Sequence, residues 1–301
     1  MKTKVKLLFV LFLVSGLLSV GTVTFAALPK EGCWNKWELG VGIGFNMPLL
    51  DTTYNHTYSP IFAFSSPDDF FSTASQLLNI THKEDSELNL SFILNHLITK
   101  KLGIQLLGVF HKTQLYGTDN SYYSYLEYTA IFWPSINPTL VTREYDELWP
   151  DTEGSLKQST FCLNLVTRFH LGPTVSVDLS GGPGLFVFSG ELSSLGYTIY
   201  KPRHSWFDYY PDKVTFSIKG LKLGLNIGGE LNVPLMRGIS LFLTLRYFYC
   251  PSSSTEINLE EIEFFIGGTS TIDEVESIMN PGPLKINPSF LILNAGFKLR
   301  F

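Results

Sequence analysis

The strongest constraint in this chain is a period of two that recurs along its length. WELGVGIGF sets Trp37, Leu39, Val41, Ile43 and Phe45 against Glu38, Gly40, Gly42 and Gly44. LNLSFILN sets Leu88, Leu90, Phe92 and Leu94 against Asn89, Ser91, Ile93 and Asn95, and Ile104, Leu106, Gly108 and Phe110 follow with Gln105 and His111 opposite. FCLNLVTRF, TVSVDLS, LKLGLNIGGELNV and ISLFLTLRYFY repeat the pattern, and LILNAGFKLRF closes the chain with it. Strict alternation means a strand with two unlike faces.

The sign of the faces separates two all-β architectures. A soluble strand turns its apolar face inward and mixes polar residues outward. Here one face is almost free of charge for about ten residues at a time, and the other is small, polar or charged, the pattern of a membrane barrel with lipid outside and a polar lumen. Between the N-terminal segment and Phe301 no run of about 18 apolar residues offers a membrane helix, so a membrane-spanning chain of this kind must be a closed barrel. The expected fold is a closed antiparallel up-and-down transmembrane β-barrel of eight strands, with ten as the alternative.

The connections alternate in length. TKKLG (99–103), HLGPT (170–174) and PLMRG (234–238) are tight, whereas 46–86, 117–157, 191–213 and 250–288 are long. Outer-membrane barrels pair short periplasmic turns with long outer loops, which puts both termini in the periplasm and the long loops outside the cell.

The first residues read as a secretory signal. Lys2, Lys4 and Lys6 precede the apolar run LLFVLFLVSGLLSV, and small residues end at Ala26. The expected division is a signal peptide over 1–26 and a barrel over 27–301. Cleavage there takes the net charge from −5 to −8, which argues against a nucleic-acid partner. Cys33, Cys162 and Cys250 form neither a disulfide framework nor a metal motif. PKEG before Cys33 lacks the small apolar residues of a lipidation signal. No cofactor and no metal are expected.

The chain ends on Phe301, with Leu299, Phe297 and Ala295 at every second position before it. This resembles the C-terminal signal by which bacterial outer-membrane proteins are recognised by the barrel assembly machinery, with Ala295 smaller than the pattern prefers. The mature chain resembles, in architecture, the small Gram-negative outer-membrane β-barrels of the OmpA, OmpX and OmpW kind. GGPGLF (181–186) resembles glycine-rich strands of such barrels, and its Gly and Pro predict a bulge or bend.

An eight-stranded barrel has an interior only just wide enough for side chains. Glu38, Asp178 and Glu230 face inward, as do Arg168, Lys298 and Arg300, and Arg246 joins them from the strand after Gly238. The register expected from the turns brings Arg168 to Asp178, and Glu38 to Arg300 or Lys298 across the closing seam. Buried charges need such partners. The same residues would line a narrow ion path in a channel. Lipid A acyltransferases and deacylases share this barrel size. They need a base beside a nucleophile or acid, for which His111, near Asn89, Ser91 and Thr244, is the one candidate.

The long segments carry their own signals. SYYSYLEYTAIFW (121–133) and TLVTREYDELW (139–149) predict an extramembrane hairpin, because the second has charge on both faces. SPDDFFSTASQLLN (66–79) predicts a short helix capped by Ser66 or Asp68. WFDYYP (206–211) predicts an interfacial aromatic belt, and TEINLEEIEFFIGG (255–268) an acidic outer strand. The function expected is that of a non-enzymatic barrel. Its lumen is plugged, its partners are membrane lipids and lipopolysaccharide, and its loops serve envelope stability or surface interaction. A small channel is the alternative, and a lipid enzyme trails both.

Overall fold

Eight strands close into one antiparallel ring. They are β1 (Trp37–Pro48), β2 (Glu87–Leu97), β3 (Leu102–Ile131), β4 (Thr152–His170), β5 (Ser176–Leu195), β6 (Lys213–Met236), β7 (Ile239–Tyr249) and β8 (Phe290–Arg300). Each pairs with its sequence neighbours in the ring, and β1 also pairs with β8, with Glu38 opposite Arg300 and Phe45 opposite Leu293. The computed structural model describes residues 36–49, 51–58, 70–82, 87–131, 138–148, 152–172, 174–195, 213–263, 271–273, 276 and 283–301. Residues 1–26, Cys33 and WFDYYP lie outside them.

Three tight turns and both ends of the ring share one rim. Thr99 Oγ1 accepts from the amides of Lys101 and Leu102 at 3.2 and 2.9 Å, which pins the β2–β3 turn. Gly238 turns the chain from β6 to β7 with φ of 78°, a left-handed backbone that a side chain resists. At the same rim Trp37 and Phe301 exchange two backbone hydrogen bonds, 3.2 and 3.0 Å long, so the seam closes on the last residue.

The far rim carries the expected extramembrane hairpin and outer strand and differs from expectation before β2. Much of the long connections is strand, because the hairpins keep pairing after they leave the barrel. β3 runs unbroken for 30 residues, whereas about 9–11 residues cross a membrane. The strand Pro138–Leu148 pairs with its upper half in the same register that β4 keeps with its lower half, from Ile131 opposite Pro138 down to Leu102 opposite Thr167. Phe70–His82 pairs with Asp51–Tyr58 on one side and with β3 on the other. Its predicted helix over 66–79 is therefore corrected. A strand paired on both edges satisfies its backbone, and that tertiary context overrides local helix signals. Ile257–Glu263 pairs with the start of β6 as an outer strand.

GGPGLF is also corrected. Cys162 pairs with Gly184 and Leu165 with Gly181, so the register does not shift and the inward parity of β5 runs on through Phe186 and Phe188. Only the ladder opens, opposite Leu163 and Asn164. The reason is local: Pro183 has no N–H to donate. A Cβ on Gly182 would lie 2.1 Å from the Leu163 carbonyl oxygen, so the strands approach more closely than any side chain allows.

Inside, rings fill the space that inward glycines leave. Phe242 packs over Gly40, Gly42 and Gly296. Phe186, Phe242, Phe248 and Phe290 join Ile93, Leu107 and Cys162 in one apolar cluster, the alternation of small and large that suits a narrow barrel. Phe248 and Phe290 stack at 4.4 Å and 9°. Above them Ser289 accepts from the Cys250 amide at 3.0 Å and donates to its carbonyl at 3.1 Å, and Gln158 donates across to the Pro288 carbonyl at 3.0 Å. Leu284 and Ile286 are buried nearby. The segment before β8 thus caps the lumen.

Candidate functional site: the lumen network

Period two sends Glu38, Arg168, Asp178, Glu230, Arg246 and Lys298 inward, and all six are buried. The register then assembles them. Arg168 stands directly opposite Asp178 across the β4–β5 turn and grips it with two N–H donors at 2.7 Å. Two further N–H donors cross the barrel to Glu38, both at 2.8 Å. One guanidinium is thereby forked to two carboxylates, the strongest geometry available to it. Glu38 also accepts from Arg300 at 2.9 and 2.6 Å and from Asn95 at 3.0 Å. Lys298 makes a close ion pair with Glu230, lies 3.9 Å from Asp178, and stands over the Phe242 ring at 5.5 Å. Asn232 donates to Asp178 at 3.2 Å.

A second layer is made of amides. Glu38, Asn95, Gln105 and Asn164 are directly opposite one another on successive strands, so one cross-strand row carries them. Gln105 donates to Asn95 at 3.1 Å, Asn164 to Gln105 at 2.9 Å, and Asn226 to Asn164 at 2.8 Å. Arg246 completes the layer, donating to Gln105 at 3.0 Å and in short contacts to Asn226 and Ser180. Its hydrogen-bond partners are neutral, and the nearest carboxylate to act on it, Glu230, does so through space from the layer below.

The outer wall has the opposite character. Leu165 is 74% exposed, while Asn164 and Val166 on either side of it are 1% exposed. Leu223, Ile227, Leu221 and Leu225 stand out in the same way from β6. A water-soluble protein hides such residues and shows its amides. The fold is that of a small outer-membrane β-barrel.

No protein-family profile matches the sequence, and no curated protein matches it. Solved outer-membrane proteins resemble it in outline. OprG from Pseudomonas aeruginosa is 10% identical, with 89% of this chain and 96% of that chain covered and a TM-score of 0.41. OmpT from Escherichia coli is 7% identical, covering 91% and 100%, with a TM-score of 0.37. Ail of Yersinia pestis is 12% identical, covering 88% and 99%, with a TM-score of 0.32. Likenesses this slight say nothing of what the chain binds or does.

Arg300 meets Glu38 but stays at the rim, its side chain 41% exposed, rather than inside with the six buried charges. With Arg246 in its place, the buried bases Arg168, Arg246 and Lys298 equal the buried acids Glu38, Asp178 and Glu230 in number among the described residues. His111 is buried against the Phe290 ring at 4.4 Å, beside Gln158. Asn89 stands opposite it in register, while Ser91 and Asn89 both accept from Asn294. Among the described residues no group of three His, Cys, Asp or Glu is placed to hold a metal. Cys162 and Cys250 are buried free thiols. Phe297, Leu299 and Phe301 are exposed on the outer wall, with Ala295 half-buried on the same face. Sequence reading missed Asn95, Gln105, Asn164, Asn226 and Asn232 as members of the network. Their signal was present: amides at the inward position of strands whose outward positions are leucine.

Proposed function

We propose that the protein is an integral barrel of the bacterial outer membrane, non-enzymatic and non-conducting, whose cross-braced lumen serves as a rigid stem for the sheet above it. Its termini face the periplasm and its extended hairpins the outside, where they meet surface partners. The observation that carries this reading is the Arg168 bridge between Glu38 and Asp178, which spans the lumen at its lower end. The amide layer, the phenylalanine cluster and the Ser289 cap stand above it. Ions crossing this path would have to break charge-assisted hydrogen bonds in several layers, each strong in a low dielectric. His111, packed on a ring and a glutamine, supports a structural role over that of a base. The lipids and lipopolysaccharide of the membrane are its proposed surroundings, and Ala295, Phe297, Leu299 and Phe301 its proposed contacts with the assembly machinery.

The test is conductance of the refolded mature chain in a planar bilayer. A folded, silent barrel supports the reading. Stable unit steps overturn it and make Glu38, Arg168, Asp178 and Glu230 gate residues.

A further inference from the structure

The outer wall carries a charged row that the lumen does not explain. Lys112 on β3 stands directly opposite Lys157 on β4. Lys157 stands opposite Ser189 on β5, and Ser189 opposite Lys219 on β6. Three lysines on adjoining strands therefore share one cross-strand row, and all are exposed. Directly opposed like charges are destabilising, so the pair Lys112–Lys157 calls for an anion between them. Lys219 reaches Glu260 at 3.3 Å in an exposed pair, and Glu87 lies within electrostatic reach of Lys112. Lys157 has no ion pair among the described residues.

The height of the row is telling. Below it the outward residues carry no charge and are apolar or glycine from Phe110 to Leu102 on β3 and from Val187 to Leu179 on β5, and on β4 from Phe161 to Phe169 with Thr167 the one polar member. Each stretch, at about 3.3 Å per residue and a tilt near 40°, rises roughly 20 Å. That is most of the ~25 Å apolar band of such barrels, so the lysines stand where the lipid headgroups of the far leaflet begin.

Two concavities lie on the same wall. Gly108, two outward positions below Lys112, leaves a cavity of 540 Å³ between Phe92, Phe110, Phe161, Leu106 and Leu163. Its rings meet edge to face, Phe92 with Phe110 at 6.0 Å and Phe110 with Phe161 at 5.6 Å. Above the row a second cavity of 610 Å³ is lined by Lys112, Ser155, Ser193 and Lys213, with Glu153 and Glu191. An apolar seat, a basic row and a polar chamber follow one another along one face.

We propose that this wall binds a phosphate-bearing lipid, its acyl chain in the Gly108 notch, its phosphate between Lys112 and Lys157, and the rest of its headgroup in the chamber above. The site rests on the reading of the chain as a membrane barrel. The occupant is a lipid and not free phosphate because the apolar notch is continuous with the basic row. Lys219 extends the row by two interstrand gaps, about 10 Å, which suits a headgroup with a second phosphate.

The test is native mass spectrometry of the detergent-solubilised full mature chain with phosphatidic acid and with diacylglycerol of the same acyl chains, which differ only in the phosphate. Phosphatidic acid is expected to be retained at least tenfold better. The variant K112Q/K157Q/K219Q is expected to abolish the preference, whereas K100Q/K101Q at the opposite rim leaves it intact. Gly108→Leu is expected to weaken both lipids, since an added Cβ is no closer than 3.4 Å to its neighbours and the leucine fills the notch. Folding of each variant is read from heat-modifiable gel mobility. Equal retention of the two lipids, an unchanged triple variant, equal loss in K100Q/K101Q, or displacement of the lipid by millimolar inorganic phosphate overturns the proposal. Failure of the wild type to insert into liposomes as a protease-protected barrel sinks the membrane reading instead, so the two failures are distinct.

Discussion

Arg168 and Glu38 are joined by two parallel hydrogen bonds of 2.8 Å although 130 residues and three strand steps separate them. The bridge is a chord across the lumen, not a contact along the wall. It ties β4 to β1, and through Asp178 to β5, at the rim where the seam closes. Taking one partner away leaves a buried guanidinium with half its acceptors, and breaking a buried pair costs about 3–5 kcal/mol. Glu38→Gln is therefore expected to lower the unfolding free energy by that order, measured by urea titration in lipid vesicles. The triple variant E38L/R168L/D178L is expected to recover much of the loss, since replacing a whole buried charge triad by apolar residues is often neutral, whereas E38L/R168L alone strands the Asp178 carboxylate. Losses that simply add across the three positions would show that the chord carries no coupling.

Arg246 should behave differently from Arg168, though both are buried arginines. Arg168 serves two carboxylates, whereas Arg246 serves Gln105, Asn226 and Ser180. Arg246→Met removes a costly buried cation and leaves behind only neutral acceptors, of which Gln105 Oε1 keeps donors from Asn164 and Ser180 while Asn226 Oδ1 loses its donor. Its expected effect is about 1–3 kcal/mol, against about 3–5 kcal/mol for Arg168→Met. Parallel urea titrations check the contrast, and an equally damaging Arg246→Met would mean that the amide layer depends on its cation.

Phe242 and the glycines facing it give a packing test. A Cβ on Gly42 would stand 2.7 Å from Phe242 Cζ and 2.8 Å from Ser91 Oγ. Gly42→Ala is expected to destabilise by about 1–3 kcal/mol through overpacking, and Phe242→Leu to lose a similar amount by leaving space. Together they are expected to cost less than their sum, because the smaller ring position makes room for the methyl. A double-mutant cycle measures this directly. Simple additivity would mean that the wall, not the ring, yields.

How far the fold was legible follows from which interactions are local. Alternation gave each wall residue its face, and the tight turn after His170 was enough to bring Arg168 to Asp178. The short step from first strand to last brought Glu38 to Arg300. The partners of Arg246 come from β3, β5 and β6, and their meeting depends on the stagger accumulated around the ring, which no single turn specifies. The match of Phe242 with Gly42 and Gly296 hides for the same reason. Phe70–His82 misled because a Leu-containing run behind Ser66 or Asp68 satisfies a helix start, while the strand's reason for being is a β3 about three times as long as a membrane needs. Pro183 misled because its missing donor opens the ladder without shifting it.

The buried thiols predict silence. Cys162 packs in the phenylalanine cluster, and Cys250 lies beneath the Ser289 bonds. In a Cys33→Ser background neither is expected to react with a bulky maleimide in the folded barrel, and both are expected to react in denaturant. Labelling of Cys250 alone in the folded state would show that the cap over the lumen opens.

Phe301 separates assembly from stability. Its ring is exposed on the outer wall, but its backbone exchanges two hydrogen bonds with Trp37 that close the seam. Phe301→Ala keeps those bonds and removes only the ring. If the terminal aromatic acts as a signal, the variant refolded in vitro is expected to lie within about 1 kcal/mol of wild type in urea titration, the range of a lipid-exposed surface substitution. Its yield of heat-modifiable barrel in cell envelopes is expected to fall severalfold. Deletion of residue 301 also removes the seam bonds and is expected to lower both. An unchanged envelope yield for Phe301→Ala would show that the ring is one more apolar contact with lipid, and that closure of the seam is the whole contribution of the last residue.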